Sequence, residues 1–502
     1  MLFNSYIFIF LFLPLALLGW YLLNYMEKYK LAQMFLVGMS LWFYAYFNIS
    51  YLAVILLSCA LNYGMSWLIA KKDTPVFRRI MLVMGCVVNL GVLGYFKYYD
   101  FFVENLNALL QTDFNMKNIL LPLGISFFTF QQLSFVIDRC RGESEHYELL
   151  DYLCFVTFFP QLIAGPIVLH TELVPQFQDK SKRRFDVNSF AYGVAWFTFG
   201  LAKKVLLADN LAPAVEYGFT HITGLDTLSA WVIALSYTLE LYFDFSGYCD
   251  MAVGIGKMFR IEIPDNFNAP FKSASVKEFW RRWHMTLGRF FTTYVYIPLG
   301  GSRKGKLRTV VNTMVVFFLS GLWHGANWTF VFWGVLHGVA VAVNSLQAGL
   351  SQRMLSGEGT GKSVLRVLYR RMAQIFTFLF VCIAFVFFRS DSMADGIQYM
   401  KQLTRWGISE RILIVSNCLE IPEIYIISKA ISMTVDSLLP YVNLAAYLVL
   451  LLVGFTLISG KTTRERLTER KLTIGFSWKL TILFVWSVLS LSGVSTFLYF
   501  NF

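Results

Sequence analysis

The sequence has little charge, and its first 26 residues have none. Asp, Glu, Lys and Arg make up 15% of the 502 residues, against 57% apolar ones. Soluble domains hold roughly a quarter charged residues, so this balance excludes an ordinary water-soluble globule. Cysteine is sparse and unpaired: Cys59, Cys86, Cys140, Cys154, Cys249, Cys382 and Cys418 contain no CxxC spacing. That pattern suggests neither a disulfide framework nor a zinc site, and small buried hydrophobes are the favoured reading. The uncharged start lacks the basic region of a signal peptide, and the first charges (Glu27, Lys28, Lys30) follow the apolar run. A retained first helix is therefore expected. There is no GxSxG elbow, P-loop or HExxH pair, which removes those templates from consideration. There is also no internal repeat of the kind that inverted-repeat transporters leave. Residues 353–363 read as a plain loop.

What is abundant is phenylalanine, with 49 residues, and uncharged runs of helix-spanning length. A membrane helix needs about 20 mostly apolar residues. Twelve segments qualify: 5–25, 31–48, 51–70, 80–96, 119–137, 187–207, 227–248, 309–325, 328–346, 372–388, 437–459 and 480–500. Loop charge tests this count. With the N-terminus outside, Lys71-Lys72, Arg78-Arg79, Lys182-Arg183-Arg184, Arg303-Lys304, Arg370-Arg371 and the run Arg464 to Lys471 all fall in inside loops. The outside loop 208–226 holds Asp209, Glu216 and Asp226 and no Lys or Arg. This alternation follows the positive-inside rule. It also accounts for the net charge of +12 without a nucleic-acid partner. The expected class is an all-α polytopic membrane protein forming one integral membrane domain over residues 1–502.

Two apolar stretches do not fit as spans. Residues 150–170 lie between inside loops and contain Pro160, Gly165 and Pro166. They read as a re-entrant segment, tolerable where protein or a cavity covers the freed backbone. Residues 276–298 carry Arg281, Arg282, His284 and Arg289 among aromatic residues, and read as an interfacial or re-entrant helix ending at residues 298–301.

Chemistry has few places to reside. Of six histidines, His146 and His221 fall in polar loops and read as solvated, and His170 stays ambiguous at the end of the re-entrant stretch. His324 lies within 309–352, a stretch without Asp, Glu, Lys or Arg. At ~1.5 Å per residue from Thr309, it sits about 22 Å into the membrane. An ionisable group at such depth is a functional candidate by default. Glycines on both sides, Gly321 and Gly325, would leave room for a substrate. A hydrogen-bonded structural histidine is the competing reading. His337, on the next span, reads as packing. His284 sits among Trp280, Arg281, Arg282 and Trp283, which serve either as an interfacial belt or as a basic mouth for an anionic cytosolic substrate. Glu240 and Asp244 share a helix face, with Asp250 further on, and fit either a proton or ion site or internal pairing. A metal site built from His284, His324 and a carboxylate lacks any supporting spacing.

Taken together, the motifs resemble the membrane-bound O-acyltransferase (MBOAT) family, in its bacterial polysaccharide O-acetyltransferase branch. The matching segments are MLFNS at 1–5, LGISFFTFQ at 123–131, FFPQLIAGP at 158–166 and YFDFSGYCDMAVG at 242–254. PDNFNAP at 264–270, FWRRWHMTL at 279–287, YIPLGG at 296–301 and GLWHGANW at 321–328 complete the set. The match runs from residue 1 to about 345, and residues 346–502 add further helices. The resemblance implies a ring of helices around a thin floor pierced by a tunnel. It implies His324 as the active-site histidine and His284 as a second one. Arg281, Arg282 and Arg289, with Trp323, Asn327 and Asp244, are the candidate substrate or donor contacts.

The expected reaction moves an acetyl group from cytosolic acetyl-CoA, a substrate and not a resident cofactor, to a hydroxyl of an extracytoplasmic polysaccharide. His324 would be the general base, since an imidazole titrates near neutrality. A covalent acyl-histidine is the alternative. The resemblance also implies an extracytoplasmic SGNH-type transferase as partner, in a bacterial inner membrane. The rival readings are D-alanyl transfer to teichoic acid from a carrier protein, and a transporter or flippase that does no chemistry.

Overall fold

A computed structural model describes residues 1–355, 360–407, 409–419, 421, 425–469, 471–491 and 497–498. Among the described residues the regular structure is helical, with no strand. In chain order the helices begin with α1 (Phe8–Tyr25), α2 (Tyr29–Ala45), α3 (Tyr51–Lys71), α4 (Pro75–Leu110) and α5 (Ile125–Arg141). There follow α6 (Leu149–Thr157), α7 (His170–Gln178), α8 (Val187–Thr220) and α9 (Thr227–Met258). Then come α10 (Val276–Trp280), α11 (Met285–Phe291), α12 (Lys306–His324), α13 (Trp328–Leu355) and α14 (Thr360–Arg389). The last are α15 (Met393–Thr404), α16 (Arg411–Asn417), α17 (Tyr425–Thr434), α18 (Leu439–Ser459), α19 (Thr463–Glu469) and α20 (Ile474–Leu489).

Seven of these helices are long and apolar enough to cross a membrane: α1, α3, α4, α8, the 328–347 part of α13, the 366–389 part of α14, and α18. The protein is therefore a multi-pass membrane protein. The other five expected spans are helical over most of their described residues but fall short in length or apolarity, and residues 492–496 and 499–500 of the expected span 480–500 lie outside the described residues. α2 and α5 have 17 residues each and α20 has 16. α9 is 32 residues long but carries Glu240, Asp244, Asp250 and Lys257.

Two expected outside loops are largely helix. α4 continues through residues 97–118, the outside interval between the expected spans 80–96 and 119–137, as far as Leu110, and α8 runs through 208–220. Both helices pass a widened π turn, at Gly94–Tyr98 and Lys203–Ala208. The charges Lys97, Asp100 and Glu104 suggest a loop to a hydropathy reading, yet no Gly or Pro interrupts residues 95–110. Of the expected loop 353–363, residues 356–359 lie outside the described residues, and both flanks are helical.

The chain divides into two units, each with its own core. The first comprises Met1–Thr198 with Tyr248–Asp265. There α5 is buried along almost its whole length although it is rich in polar groups. Those groups are satisfied internally. Asn62 donates to the Gln132 side-chain oxygen at 2.6 Å, Asn89 donates to Asn62 at 2.6 Å, and the Tyr152 hydroxyl donates to Gln132 at 2.9 Å. Buried polar groups are tolerable when paired in this way. This internal pairing is why the 119–137 stretch is less apolar than a lipid-facing span. The stretch 150–170 forms α6, a four-residue turn at Phe159–Leu162 and an irregular return, with residues 151–152 and 154–168 buried. It does not cross as one helix, as its prolines require.

The second unit comprises Phe199–Gly247 with Asn266–Leu498. Its centre is the α12–α13 hairpin. A Cβ on Gly321 would lie 2.4 Å from the Phe330 carbonyl oxygen, and one on Gly334 would lie 2.3 Å from that of Phe317. Glycine at both positions lets the two backbones meet, a packing common between membrane helices.

Candidate active site

His324 is the last residue of α12 and is 3% exposed. The ring lies among aromatic neighbours: Trp323 at 4.9 Å, Trp333 at 5.1 Å and Phe388 at 5.2 Å between centroids. The flanking glycines do not leave the expected space for a substrate. A Cβ on Gly325 would lie 2.1 Å from the Phe330 ring, and Gly321 is used by the hairpin contact. Both serve close packing, which fixes where α12 ends and so where His324 stands.

His284 lies 6.5 Å from His324 between ring centroids and is 1% exposed. Even with nitrogens turned to face each other, that separation exceeds hydrogen-bonding distance. The expected 276–298 helix is broken here. α10 stops at Trp280, and α11 begins only after His284, which is left-handed at φ 46° and ψ 52°. Such a conformation costs a residue with a Cβ about 1–2 kcal/mol. The neighbouring segment 266–268 holds it in place. Met285 N–H donates to the Asn266 carbonyl at 3.0 Å, and Asn268 N–H donates to the Arg282 carbonyl at 2.9 Å.

The Asn266 side chain also sets the imidazole tautomer. Its Oδ1 accepts from the Thr286 N–H at 3.2 Å and the Thr286 hydroxyl at 3.0 Å, and meets His284 Nδ1 at 3.1 Å. A backbone N–H can only donate, so this Asn266 atom is the oxygen. His284 Nδ1 must then carry the proton, and Nε2 carries the lone pair. Burial pushes the His284 pKa down to about 3, so the ring is neutral at physiological pH. The Phe245 ring closes the other side, edge-on at 4.8 Å.

The other expected contacts separate by environment. Trp323 belongs to the cluster, 6.0 Å from His284. Arg281 is exposed. Arg282 pairs with Glu278 at 2.9 Å and donates to the Asn268 carbonyl at 3.3 Å, which binds it to the turn. Arg289 is half-buried. Thus the histidine is turned inward while Arg281 points to solvent. Asn327 caps α13: its side chain accepts from Thr329 N–H at 3.0 Å and donates to the Asp391 carbonyl at 2.7 Å. Asp244 lies 2.5 Å from Lys204 and accepts from Leu498 N–H at 3.0 Å. Lys204 also pairs with Asp209 at 2.7 Å. Internal pairing is therefore the outcome for Asp244, and Asn327 is a helix cap. A direct donor contact would have to displace these bonds.

The remaining histidines are engaged elsewhere. His337 Nδ1 accepts from the Trp280 indole N–H at 3.1 Å within a ring of aromatics. In the first unit, His170 lies 3.0 Å from Asp138 and 2.9 Å from the Tyr147 hydroxyl. His146 and His221 are exposed. Residue-by-residue reading missed Asn266, Thr286 and Lys204. Asn266 lies inside the PDNFNAP motif, which marked the segment but not the task. Lys204 was visible as an ionisable residue in an apolar run, which calls for a partner.

Residues 104–386 match the membrane-bound O-acyltransferase family (MBOAT). The chain belongs to that family. His284, His324 and the turn that joins their segments all fall within the matched stretch, so this MBOAT protein is an acyltransferase. It is 40% identical to the peptidoglycan O-acetyltransferase of Helicobacter pylori, over 80% of this chain and 79% of the relative. It is 41% identical to the probable alginate O-acetylase AlgI of Pseudomonas aeruginosa, over 82% of this chain and 76% of that one. It is 28% identical to the teichoic acid D-alanyltransferase of Streptococcus thermophilus, over 44% of this chain and 56% of the relative.

Proposed function

We propose that this MBOAT protein transfers an acetyl group from acetyl-CoA, on the cytosolic side of a bacterial inner membrane, toward hydroxyls of an extracytoplasmic polysaccharide. The observation that carries this reading is the buried His284–His324 pair, lined by aromatic rings, in a chain about 40% identical to two polysaccharide O-acetylating proteins. His324 takes the proton from the attacking hydroxyl as its oxygen adds to the thioester carbonyl. The tetrahedral intermediate then expels the CoA thiolate, which takes the proton back from the imidazolium. An imidazole, neutral as the base and protonated as the acid, suits the two steps in turn. His284, neutral and with Nε2 as its acceptor, orients the hydroxyl. The exposed Arg281 attracts the anionic donor over distance. An SGNH-type transferase outside presents the polymer whose hydroxyl attacks. The N-terminus is then extracytoplasmic, consistent with the charge alternation.

D-alanyl transfer has weaker support, because similarity to that branch is lower and covers less than half of the chain. A transporter that does no chemistry is separated by one assay. Purified protein given acetyl-CoA and a polysaccharide fragment should release free CoA. In His324→Ala, which should still insert, release should fall by about 10²–10⁴-fold. Undiminished CoA release from that variant would sink the assignment of His324. No release from the wild-type protein, with its partner present, would sink acetyl transfer itself.

A further inference from the structure

Away from the histidines, the second unit contains a cavity of about 550 Å³ beside α18. Its wall along α18 is aliphatic: Ala446, Val449, Leu450, Val453, Leu457 and Ile458. From Ala446 to Gly460 the helix rises ~21 Å, at ~1.5 Å per residue. That is the length of a long acyl chain. Val449, Val453 and Trp486 line the cavity yet are 58%, 42% and 47% exposed. The groove is therefore open sideways, toward the lipid that surrounds a membrane helix.

One end differs from the rest. Gly460, Lys461, Thr462, Thr463 and Arg466 close it. The stretch 461–471 carries five Lys or Arg against two Glu. Lys461 is paired with Glu469, while Arg466 spends its Nε on the Lys461 carbonyl at 3.0 Å. Lys272 adds a further ammonium at this end, 2.6 Å from the Gly460 carbonyl. A trough that is aliphatic along α18, with Lys203 and Asn210 among apolar residues of its other wall and one cationic, hydroxyl-bearing end, suits a lipid with an anionic head group.

We propose that this groove is a binding site for an anionic glycerophospholipid, with one acyl chain along α18 and the phosphate at Arg466 and Lys461. Basic pockets between membrane helices hold anionic head groups in this manner. The pantetheine arm of the acyl donor fits less well. Its amides would need hydrogen-bond partners, and residues 446–458 of the wall present only aliphatic side chains. The proposal does not depend on the reaction assigned above.

The test uses the full chain purified in detergent with phosphatidylglycerol or phosphatidylcholine, bound lipid being counted by native mass spectrometry. Phosphatidylglycerol should remain at about one per chain and phosphatidylcholine should not. Arg466→Glu should cut retention at least fivefold, and Val453→Trp, which fills the trough, should do the same. Arg466→Lys keeps the charge and should retain the lipid, so its comparison with Arg466→Gln decides the matter if the harsher variants do not fold. Equal retention of both lipids, or no change in any variant, would mean ordinary bilayer contact and overturn the proposal. Displacement of phosphatidylglycerol by acetyl-CoA would also overturn it and make the groove a donor path.

Discussion

His337 and His284 are both buried imidazoles in aromatic surroundings, yet their hydrogen bonds run in opposite directions. At His337 the indole of Trp280 donates, so the basic nitrogen of the ring is consumed. At His284 the side-chain oxygen of Asn266 accepts, so the N–H is consumed and the lone pair is kept on Nε2. Burial and depth do not distinguish the two. The identity of one neighbouring atom does, because an imidazole that must act as acceptor or base has to have its other nitrogen held by an acceptor. His170 has a feature of each: Asp138, an acceptor, holds one nitrogen as Asn266 does at His284, while the Tyr147 hydroxyl meets the other.

The strongest way to break the contrast is at Asn266. Asn266→Leu removes the acceptor that sets the tautomer, and kcat for acetyl transfer should fall by about 10–100-fold, the usual scale for losing an orienting partner of a functional histidine. Asn266→Asp keeps an acceptor and should recover most of that loss. If Leu and Asp behave alike in a turnover assay, the tautomer is not what Asn266 provides. Next in size is His337→Leu, which strands the Trp280 N–H. Thermal unfolding in detergent should report a loss of about 1–3 kcal/mol, with kcat within threefold of wild type. A collapse of kcat without a stability change would place His337 in the chemistry.

A pH profile gives a subtler test. The pKa of His284 is down at about 3, so the ring stays unprotonated from pH 8 to pH 5. His284 itself should therefore add no acid limb to kcat/KM in that range. An acid limb that persists in wild type and disappears in His284→Gln would contradict this. The smallest effect expected is at Arg281, which is exposed. Arg281→Gln should raise the KM for the proposed acetyl-CoA donor by only about two- to threefold, and the rise should shrink in high salt as exposed charge interactions are screened. A salt-independent rise would mean direct contact.

Much of the fold was legible because hydrophobicity is local. Eleven of the twelve apolar stretches are helical over most of their length, the twelfth (480–500) is helical as far as Leu489 with residues 492–496 and 499–500 outside the described residues, and Pro160 and Pro166 marked a segment that does not continue as one helix. His324 stood out because no charge lies within fifteen residues before it. The break at His284 was not legible. A left-handed histidine between two short helices is imposed by Asn266, eighteen residues earlier, and no local propensity announces it. The same holds for Asp244, whose partner Lys204 lies forty residues away on another helix. The two glycines beside His324 were misread for a related reason: a missing side chain signals close approach but not what approaches, and here it is Phe330.

The left-handed backbone of His284 has a consequence for anyone who evolves this protein. Glycine adopts φ 46° without strain, so His284→Gly should relieve the turn while removing an imidazole from the histidine pair. The cavity left by a buried ring costs about 2–5 kcal/mol, more than the strain relieved, so the packing around residue 284 holds a conformation that its own backbone disfavours, and both thermostability and polymer acetylation should fall in that variant.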